Sequence, residues 1–286
     1  MMNEALIEIK GLCKSFGSDK SVVNGLDMTV PRGAVYALLG NNGVGKTTTI
    51  RMITGQLAQD AGTIRVFGLD PIREGVAVKQ RTAYVAEAQR VYDWMTVDDL
   101  IKFTRAFYPN WNDALCEHLL QTFALPRQGL IKDFSRGMYT KAVLLGALCR
   151  DPELLILDDP TLGLDTSSRR EFMGGLVDVI HEFERTVVFS THLIPEIEGL
   201  VDYVGIMVNG KLTIEAPVDV LKGTFRELRF PAAAAIPPVP GERQRRQIGD
   251  ELIVITGSGA DALASGVTPL AEAPLNLEEI FLATVG

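Results

Sequence analysis

The sequence has few cysteines, no long apolar run and no basic leader. Three cysteines occur in 286 residues, far apart and without a Cys-x-x-Cys pair, which excludes a disulfide framework and argues against a zinc site. No apolar stretch approaches the ~18 residues that cross a bilayer, and the first residues lack the basic and apolar regions of a signal peptide. We therefore expect a cytoplasmic chain whose membrane contact, if it has one, passes through a partner protein.

Basic charge is also in deficit. The chain carries 28 basic and 36 acidic residues, for a net charge of −8. Proteins that coat nucleic acid or anionic lipid need the opposite balance, since phosphate groups attract lysine and arginine. We expect no direct nucleic-acid partner.

The hydrophobic pattern predicts an α/β fold with a helical insertion. Short apolar strands are predicted over residues 4–9, 26–39, 154–157 and 186–190, and the last two are apolar throughout, as buried parallel strands are. Helical spacing follows over residues 48–57. Between residues 89 and 150 the spacing is helical, over 97–107, 114–123 and 139–149, which predicts a helical subdomain.

Near Gly223 the composition changes. Four prolines flank a run of alanines between residues 231 and 240, and residues 251–256 then alternate like a strand. We divide the chain into residues 1–222 and a small C-terminal α+β module, residues 223–286. The proline-rich connection is predicted to be a loop, and the helix predicted at residues 276–282 is expected to pack this module.

A glycine-rich segment gives the first chemical signal. Residues 40–47 match G-x-x-x-x-G-K-[ST] between a predicted strand and a predicted helix. Glycines let backbone N–H groups wrap phosphate oxygens, the lysine reaches the β- and γ-phosphates, and the threonine binds Mg²⁺. The predicted ATP-binding residues here are Asn41, Asn42, Gly43, Val44, Gly45, Lys46, Thr47 and Thr48.

Two carboxylates follow the predicted strand 154–157. Asp158 and Asp159 would stand at its carboxyl end, beside the glycine-rich segment. We assign Asp158 to Mg²⁺ and Asp159 to the attacking water. The alternative, a strand ended by a polar turn with Pro160, fits each feature alone but not their combination.

Over residues 4–222 the chain resembles an ATP-binding cassette (ABC) ATPase, in particular those of ABC-2-type exporters. The P-loop NTPase core, the helical insertion and five short segments carry the resemblance. It implies that Phe16 stacks on adenine, that Glu87 lies in the Q-loop and binds Mg²⁺, and that His192 senses the γ-phosphate. It also implies that Ser135 and Gly137, in the signature Phe-Ser-Arg-Gly-Met, and Asp165 in the D-loop contact nucleotide.

The resemblance also implies partners. In the family the signature reaches the ATP of the other subunit, so we expect a nucleotide-sandwich dimer with itself or a homologous ATPase. Integral membrane permease subunits are expected to hold it at the inner face of the membrane. Alternatives are a soluble ABC ATPase acting on nucleic acid or ribosomes, and an ATP-dependent switch that hydrolyses slowly.

The chain departs from the family pattern in three motifs, and these departures bear on activity. Arg136 and Met138 replace a glycine and a glutamine of the signature, and Glu87 replaces the usual glutamine. Asp159 stands where most members have glutamate, and its shorter side chain predicts slow turnover, since a displacement of about 1 Å can cost about 10²-fold. A degenerate site completed by a different partner chain is the competing interpretation.

Aromatic residues and a methionine follow Glu87. Tyr92, Trp94 and Met95 are of the types enriched at protein interfaces. The resemblance implies that a groove beside the Q-loop receives a helix of the membrane subunit, and we expect these residues near it. The alternative, that they form the core of the helical subdomain, remains open.

Overall fold

The computed structural model describes residues 4–17, 20–87, 89–108, 110–183, 185–191, 193–264 and 268–286. The strands are β1 (Ala5–Phe16), β2 (Lys20–Pro31), β3 (Val35–Leu39), β4 (Ala61–Val66), β5 (Thr82–Val85), β6 (Leu154–Asp158), β7 (Thr186–Thr191), β8 (Tyr203–Val208), β9 (Lys211–Pro217), β10 (Arg226–Pro231), β11 (Glu242–Ile248), β12 (Glu251–Thr256) and β13 (Ala271–Pro274). The helices are α1 (Lys46–Ile53), α2 (Gly75–Arg81), α3 (Val97–Arg105), α4 (Asp113–Thr122), α5 (Arg136–Leu148), α6 (Thr166–Phe183), α7 (Val218–Thr224), α8 (Gly259–Ala264) and α9 (Leu277–Val285).

A six-stranded sheet forms the centre, in the order β5-β6-β7-β3-β8-β9. Its strands are parallel except for β9, which pairs antiparallel with β8. Every residue of β3, β6 and β7 is buried, as expected for parallel strands covered on both faces. The carboxyl ends of β3, β6 and β7 therefore lie side by side, and the α/β fold predicted from the sequence is confirmed.

The prediction of one strand over residues 26–39 is wrong. Strand β2 ends at Pro31 and β3 begins at Val35. Between them Gly33 turns the chain with a φ of 76°, in the left-handed region that glycine adopts readily. The two strands belong to different sheets, because β2 pairs with β1 in an antiparallel sheet of order β2-β1-β4. Hydrophobicity alone did not reveal this corner, since the alternating apolar residues at the end of β2 are followed closely by the apolar β3.

The helical insertion contains α3, α4 and α5 at the predicted places. Each helix begins with a side-chain cap: Thr96 and Asp99 form a reciprocal capping box on α3, Asn112 caps α4, and Ser135 caps α5. These caps satisfy backbone N–H groups that have no partner within the helix. The cap at Ser135 places the start of α5 at Arg136, three residues before the predicted start.

Residues 226–274 contain a separate antiparallel sheet of order β11-β12-β10-β13. Leu228, Phe230 and Val254 form a small core of its own, and residues 232–241 contain neither helix nor strand, as predicted. Helix α9 contacts the module at β11, as predicted, and Ile280 and Phe281 also join the core cluster of the central sheet and helical insertion. The closing helix thus packs on both parts of the chain.

Candidate functional site

The glycine-rich turn follows the central strand β3 and leads into α1. Gly43 and Gly45 have φ values of 78° and 114°, which L side chains rarely adopt. A Cβ at Gly45 would also lie 2.7 Å from the carbonyl oxygen of Val22. The turn therefore requires glycine, and it places backbone N–H groups at the start of α1, where anions bind favourably.

Lys46 lies folded into this turn. Its Nζ donates to the carbonyl oxygens of Gly40 at 2.8 Å and Asn41 at 3.3 Å, and the residue is buried. Burial lowers the pKa of the Lys46 ammonium, and the carboxylates of Asp159, Asp158 and Glu87 partly oppose that shift. The ammonium is thus held beside the turn, facing a set of acidic groups.

Asp158 ends β6 with its carboxylate almost fully buried. It accepts hydrogen bonds from the hydroxyls of Thr47 at 3.1 Å and Tyr84 at 3.3 Å, and from Ser190. Burial, with the Asp158 charge as the next cause, raises the pKa of Tyr84 to about 12, so this phenol stays a donor at neutral pH. The Thr47 hydroxyl and the Asp158 carboxylate are oxygen ligands of the kind that Mg²⁺ prefers.

Magnesium sites with nucleotides need few protein ligands, because phosphate oxygens and water complete the shell. Within the residues that the structure describes, no group of three or more His, Cys, Asp or Glu side chains forms a metal site. The paired Thr47 and Asp158 fit such a shared site and do not fit a cage made of protein ligands alone.

Asp159 has an unusual backbone. Its φ is 45°, its N–H donates to the carbonyl of Ser190 at 2.9 Å, and its own carbonyl accepts from Leu162 N at 3.1 Å. Among L residues, aspartate and asparagine tolerate this left-handed region best. Aspartate therefore suits the backbone conformation at this position. Glutamate, whose side chain is one methylene longer, suits it less well.

A cavity of about 330 Å³ joins these groups. Eight of its lining residues were predicted: Asn42, Gly43, Gly45, Lys46, Thr47, Thr48, Glu87 and Asp159. Two were not, Val22 and Leu162, whose apolar side chains carry no chemical signal in the sequence. Tyr84 was missed for the same reason, because a tyrosine in a buried strand resembles any core aromatic.

Other predicted site residues lie outside this cavity lining. Asn41 and Val44 border a neighbouring cavity of about 460 Å³, Phe16 is half exposed at the end of β1, and Asp158 lies buried behind Thr47. Ser135, Gly137 and Asp165 do not line it either. His192 lies outside the described residues.

The signature and the D-loop begin helices. Ser135 Oγ accepts from Met138 N at 3.3 Å at the start of α5. Asp165 Oδ1 accepts from Ser167 N and Ser168 N, both at 3.0 Å, at the start of α6. Hydrogen bonds, first from the Ser168 hydroxyl, lower the pKa of the Asp165 carboxyl. In this chain both residues therefore act as helix caps.

A larger groove of about 820 Å³ runs along the helical insertion. Glu87 and Leu162 border both this groove and the cavity at the glycine-rich turn. Tyr139 on α5 closes one side: its hydroxyl accepts from Val91 N at 2.6 Å and donates to Gln89 O at 3.0 Å. The segment after β5 thus connects the two spaces through one short stretch of chain.

Comparison with known proteins places this arrangement in a family. The sequence profile of the ABC transporter family matches residues 23–162. The bacitracin transport ATP-binding protein of Bacillus licheniformis is 35% identical over 224 residues, covering 78% of this chain and 73% of that protein. The Nod factor export ATP-binding protein I of Burkholderia lata is 32% identical over 301 residues, covering 100% of this chain and 98% of that protein.

A solved structure agrees with the sequence relatives. The structure of an ATP-binding subunit of an ABC transporter superposes with a TM-score of 0.68 and 26% identity, over 76% of this chain and 92% of that one. The glycine-rich turn, the buried carboxylates and the helical insertion occupy the matched region. The chain therefore belongs to the ABC transporter family, as an ATP-binding and ATP-hydrolysing cassette related to those of ABC-2-type exporters.

Proposed function

We propose that this chain is the motor of an ABC exporter, in which ATP binding closes a dimer of cassettes and hydrolysis opens it. The observation that carries the proposal is the position of Glu87, which borders both the cavity at the glycine-rich turn and the groove on the helical insertion. A residue shared by both spaces can pass the state of the nucleotide to whatever occupies the groove. ATP drives this switch only by binding the closed state more tightly.

Within the cavity each polar group has a role that its position supports. Lys46 and the backbone of residues 41–48 hold the phosphates, and Asp159 orients and polarises the attacking water. Thr47, Asp158 and Glu87 are the proposed protein ligands of Mg²⁺, which supplies charge neutralisation on the phosphates when bound. Lys46 leaves its carbonyl partners to meet the β- and γ-phosphates, and phosphate oxygens then replace those carbonyls as acceptors.

The dimer follows from what the cavity lacks. Ser135 and Gly137 do not line it, although they open the helix with free N–H groups suited to phosphate. We place them against the ATP of the second subunit, with Asp165 at the same interface and Phe16 on adenine. Two chains therefore form two complete sites, and one chain forms none.

The groove is the proposed seat of a membrane subunit. Tyr92 is 57% and Trp94 66% exposed, and their rings stack at 5.8 Å, so apolar area is available at the groove rim. In the part of the chain that the structure describes, no helix is long and apolar enough to cross a membrane. We propose that a separate permease subunit supplies the spans and holds the cassette at the inner face of the membrane.

Export as the direction rests on the relatives. The names of the two sequence relatives refer to bacitracin transport and to Nod factor export, and the second matches along the whole of this chain. We propose the division into residues 1–222 as cassette and 223–286 as accessory module, supported by the separate sheet and core of residues 226–274.

The test is co-purification followed by reconstitution. The tagged chain is isolated from solubilised membranes, bound proteins are identified, and the permease found is reconstituted with the chain in vesicles. We expect a permease with several spans that stimulates ATP hydrolysis, and a Trp94→Ala variant that binds it less. Recovery of ribosomal proteins or nucleic acid in place of a permease would instead favour a soluble ABC ATPase.

A further inference from the structure

Arg136 opens α5 and reaches across to the turn that follows Asp159. Its Nη1 donates to the carbonyl oxygen of Gly163 at 2.9 Å, a contact between residues 27 positions apart in sequence. Arg136 is exposed and does not belong to the main hydrophobic core. It forms a bridge from the helical insertion to a loop of the central sheet.

The loop is shaped to receive this guanidinium. Gly163 has a φ of 77°, and a Cβ at this position would lie 2.8 Å from Arg136 Nη1. Glycine thus serves here both for its backbone conformation and for the close approach of the arginine. Any other residue would displace the side chain that holds the carbonyl.

A second contact joins the start of α5 to the start of α6. A Cβ at Gly137 would lie 3.1 Å from Ser168 Cβ, so α5 and α6 approach closely at this point. Ser168 Oγ in turn donates to Asp165 Oδ2 at 2.6 Å, and farther along Lys141 pairs with Glu171 at 3.1 Å. The start of α5 therefore moves with the start of α6.

The bridged loop leads directly to Asp159. Leu162 N donates to Asp159 O at 3.1 Å and Leu164 N to Thr161 O at 3.1 Å, so hydrogen bonds run through the turn from Asp159 to Gly163. The left-handed backbone of Asp159 depends on this turn and on its bond to Ser190. A displacement of the Gly163 carbonyl is therefore transmitted to the carboxylate of Asp159, which lies four residues earlier in the chain.

We propose that Arg136 is a positioning residue, which ties the signature helix to the D-loop of its own subunit and thereby fixes Asp159 for hydrolysis. The inference rests on the proposed roles of Asp159 and of the signature. A glycine in this place would leave the Gly163 carbonyl without this donor, whereas the arginine joins the start of α5 to the loop by a hydrogen bond. Contact of the signature with ATP then reaches the hydrolytic carboxylate of its own subunit.

Amide hydrogen exchange of the nucleotide-free chain tests the bridge without any appeal to ATP. In Arg136→Ala we expect the Leu162 and Leu164 amides to exchange about fivefold faster, as loss of one hydrogen bond implies. Arg170→Ala is the control. It removes an exposed side chain of α6 that makes no hydrogen bond or ion pair with another described residue, and it should leave the exchange rates of both amides unchanged. Equal exchange in Arg136→Ala and the parent chain would overturn the bridge.

Steady-state kinetics test the positioning role. We expect Arg136→Ala to lower kcat about tenfold with the Kd for ATP within about twofold, and Arg136→Lys, which keeps a donor, to restore most of kcat. Faster amide exchange with unchanged kcat would show that the bridge is structural only, and would overturn the positioning role. A second result would also overturn the positioning role. If the double variant Arg136→Ala, Asp159→Asn needs a higher ATP concentration to dimerise than Asp159→Asn alone, Arg136 itself contacts the nucleotide. Loss of the assigned role of Asp159 would show separately, as unchanged hydrolysis in Asp159→Asn alone.

Discussion

At the residue scale, the proposal depends first on the role assigned to Asp159 in hydrolysis. Its carboxylate borders the cavity with Lys46 and Glu87, and its backbone is left-handed. Asparagine tolerates the same backbone, which makes Asp159→Asn a change of charge with little change of fold.

We predict that Asp159→Asn lowers kcat for ATP hydrolysis by about 10² to 10⁴-fold and leaves ATP affinity nearly unchanged. A phosphate-release assay and equilibrium nucleotide binding measure the two quantities. Asp250→Asn, in the turn between β11 and β12, is the matched control. Full activity in Asp159→Asn would remove the carboxylate from the mechanism.

The variant Asp159→Glu tests the longer reach of the side chain against the strain it would cause in the backbone. Glutamate extends the carboxylate by a methylene toward the position that most family members use, but it tolerates a φ of 45° less well than aspartate. We expect kcat to rise in this variant while the Tm falls, as measured by phosphate release and calorimetry. A lower kcat at unchanged Tm would show that the shorter side chain is already the productive one.

Tyr84 is a polar residue of the site that sequence reasoning missed. Its hydroxyl donates to Asp158 at 3.3 Å and also interacts with Arg51, and the variant Tyr84→Phe removes this hydroxyl while keeping the ring. We predict that the Mg²⁺ concentration for half-maximal hydrolysis shifts by about threefold to tenfold, the effect of one hydrogen bond. Tyr203→Phe, on strand β8 of the same sheet but separated from β5 by three strands, serves as the control, and the same shift there would argue against a specific role for Tyr84.

At the element scale, the stretch after Glu87 divides into surface and core. Tyr92 and Trp94 are exposed, as expected for residues near the groove, whereas Met95 is 2% exposed and belongs to the main core. The core interpretation thus holds for Met95, and the interface role of Tyr92 and Trp94 stays a prediction. Composition could not separate them, since burial depends on how the segment turns before α3.

We predict that Met95→Ala lowers the free energy of unfolding by about 2–4 kcal/mol, because it leaves a cavity. Trp94→Ala should change it by less than about 1 kcal/mol, the range of an exposed aromatic pair. Denaturant unfolding of the two variants measures both values. Equal losses would contradict the division into surface and core.

Strand β9 carries Glu215, an exposed residue whose carboxyl group is partly shielded from solvent and gives a pH signature. Glu215 Oε1 accepts from Thr29 N and from Tyr36 OH, both at 2.8 Å, and burial raises the pKa of its carboxyl above the ordinary 4.5. The folded chain therefore keeps this proton at a pH where the unfolded chain has released it. Glu215 lowers stability as pH rises through that window, and the loss persists above it.

The glutamine variant tests this sign. Glu215→Gln keeps a carbonyl acceptor for both donors and removes the charge. We predict that its stability relative to the parent chain is greater at about pH 8 than at about pH 4, as measured by unfolding at both values. A difference that is constant, or larger in acid, would contradict the account.

At the scale of the whole molecule, the sequence predicted the parallel core, the glycine-rich turn and the order of the motifs. Those features depend on local patterns, such as the apolar run of β6 before Asp158. It failed at the corner after Pro31 and did not show that α9 also packs on the larger core, because which sheet a strand joins, and which core a helix completes, are set by contacts distant in sequence. The bridge from Arg136 to Gly163 is of the same long-range kind.

The division of each site between two chains is the central claim, and mixing two inactive variants tests it most directly. Lys46→Ala loses its own phosphate site, and Ser135→Arg blocks the signature offered to its partner. Each homodimer should be inactive, whereas a mixed dimer contains one complete site. We predict that an equal mixture recovers about a quarter of the parent ATPase rate, from half the dimers having one of two sites; a folded mixture with no recovered activity would contradict the account.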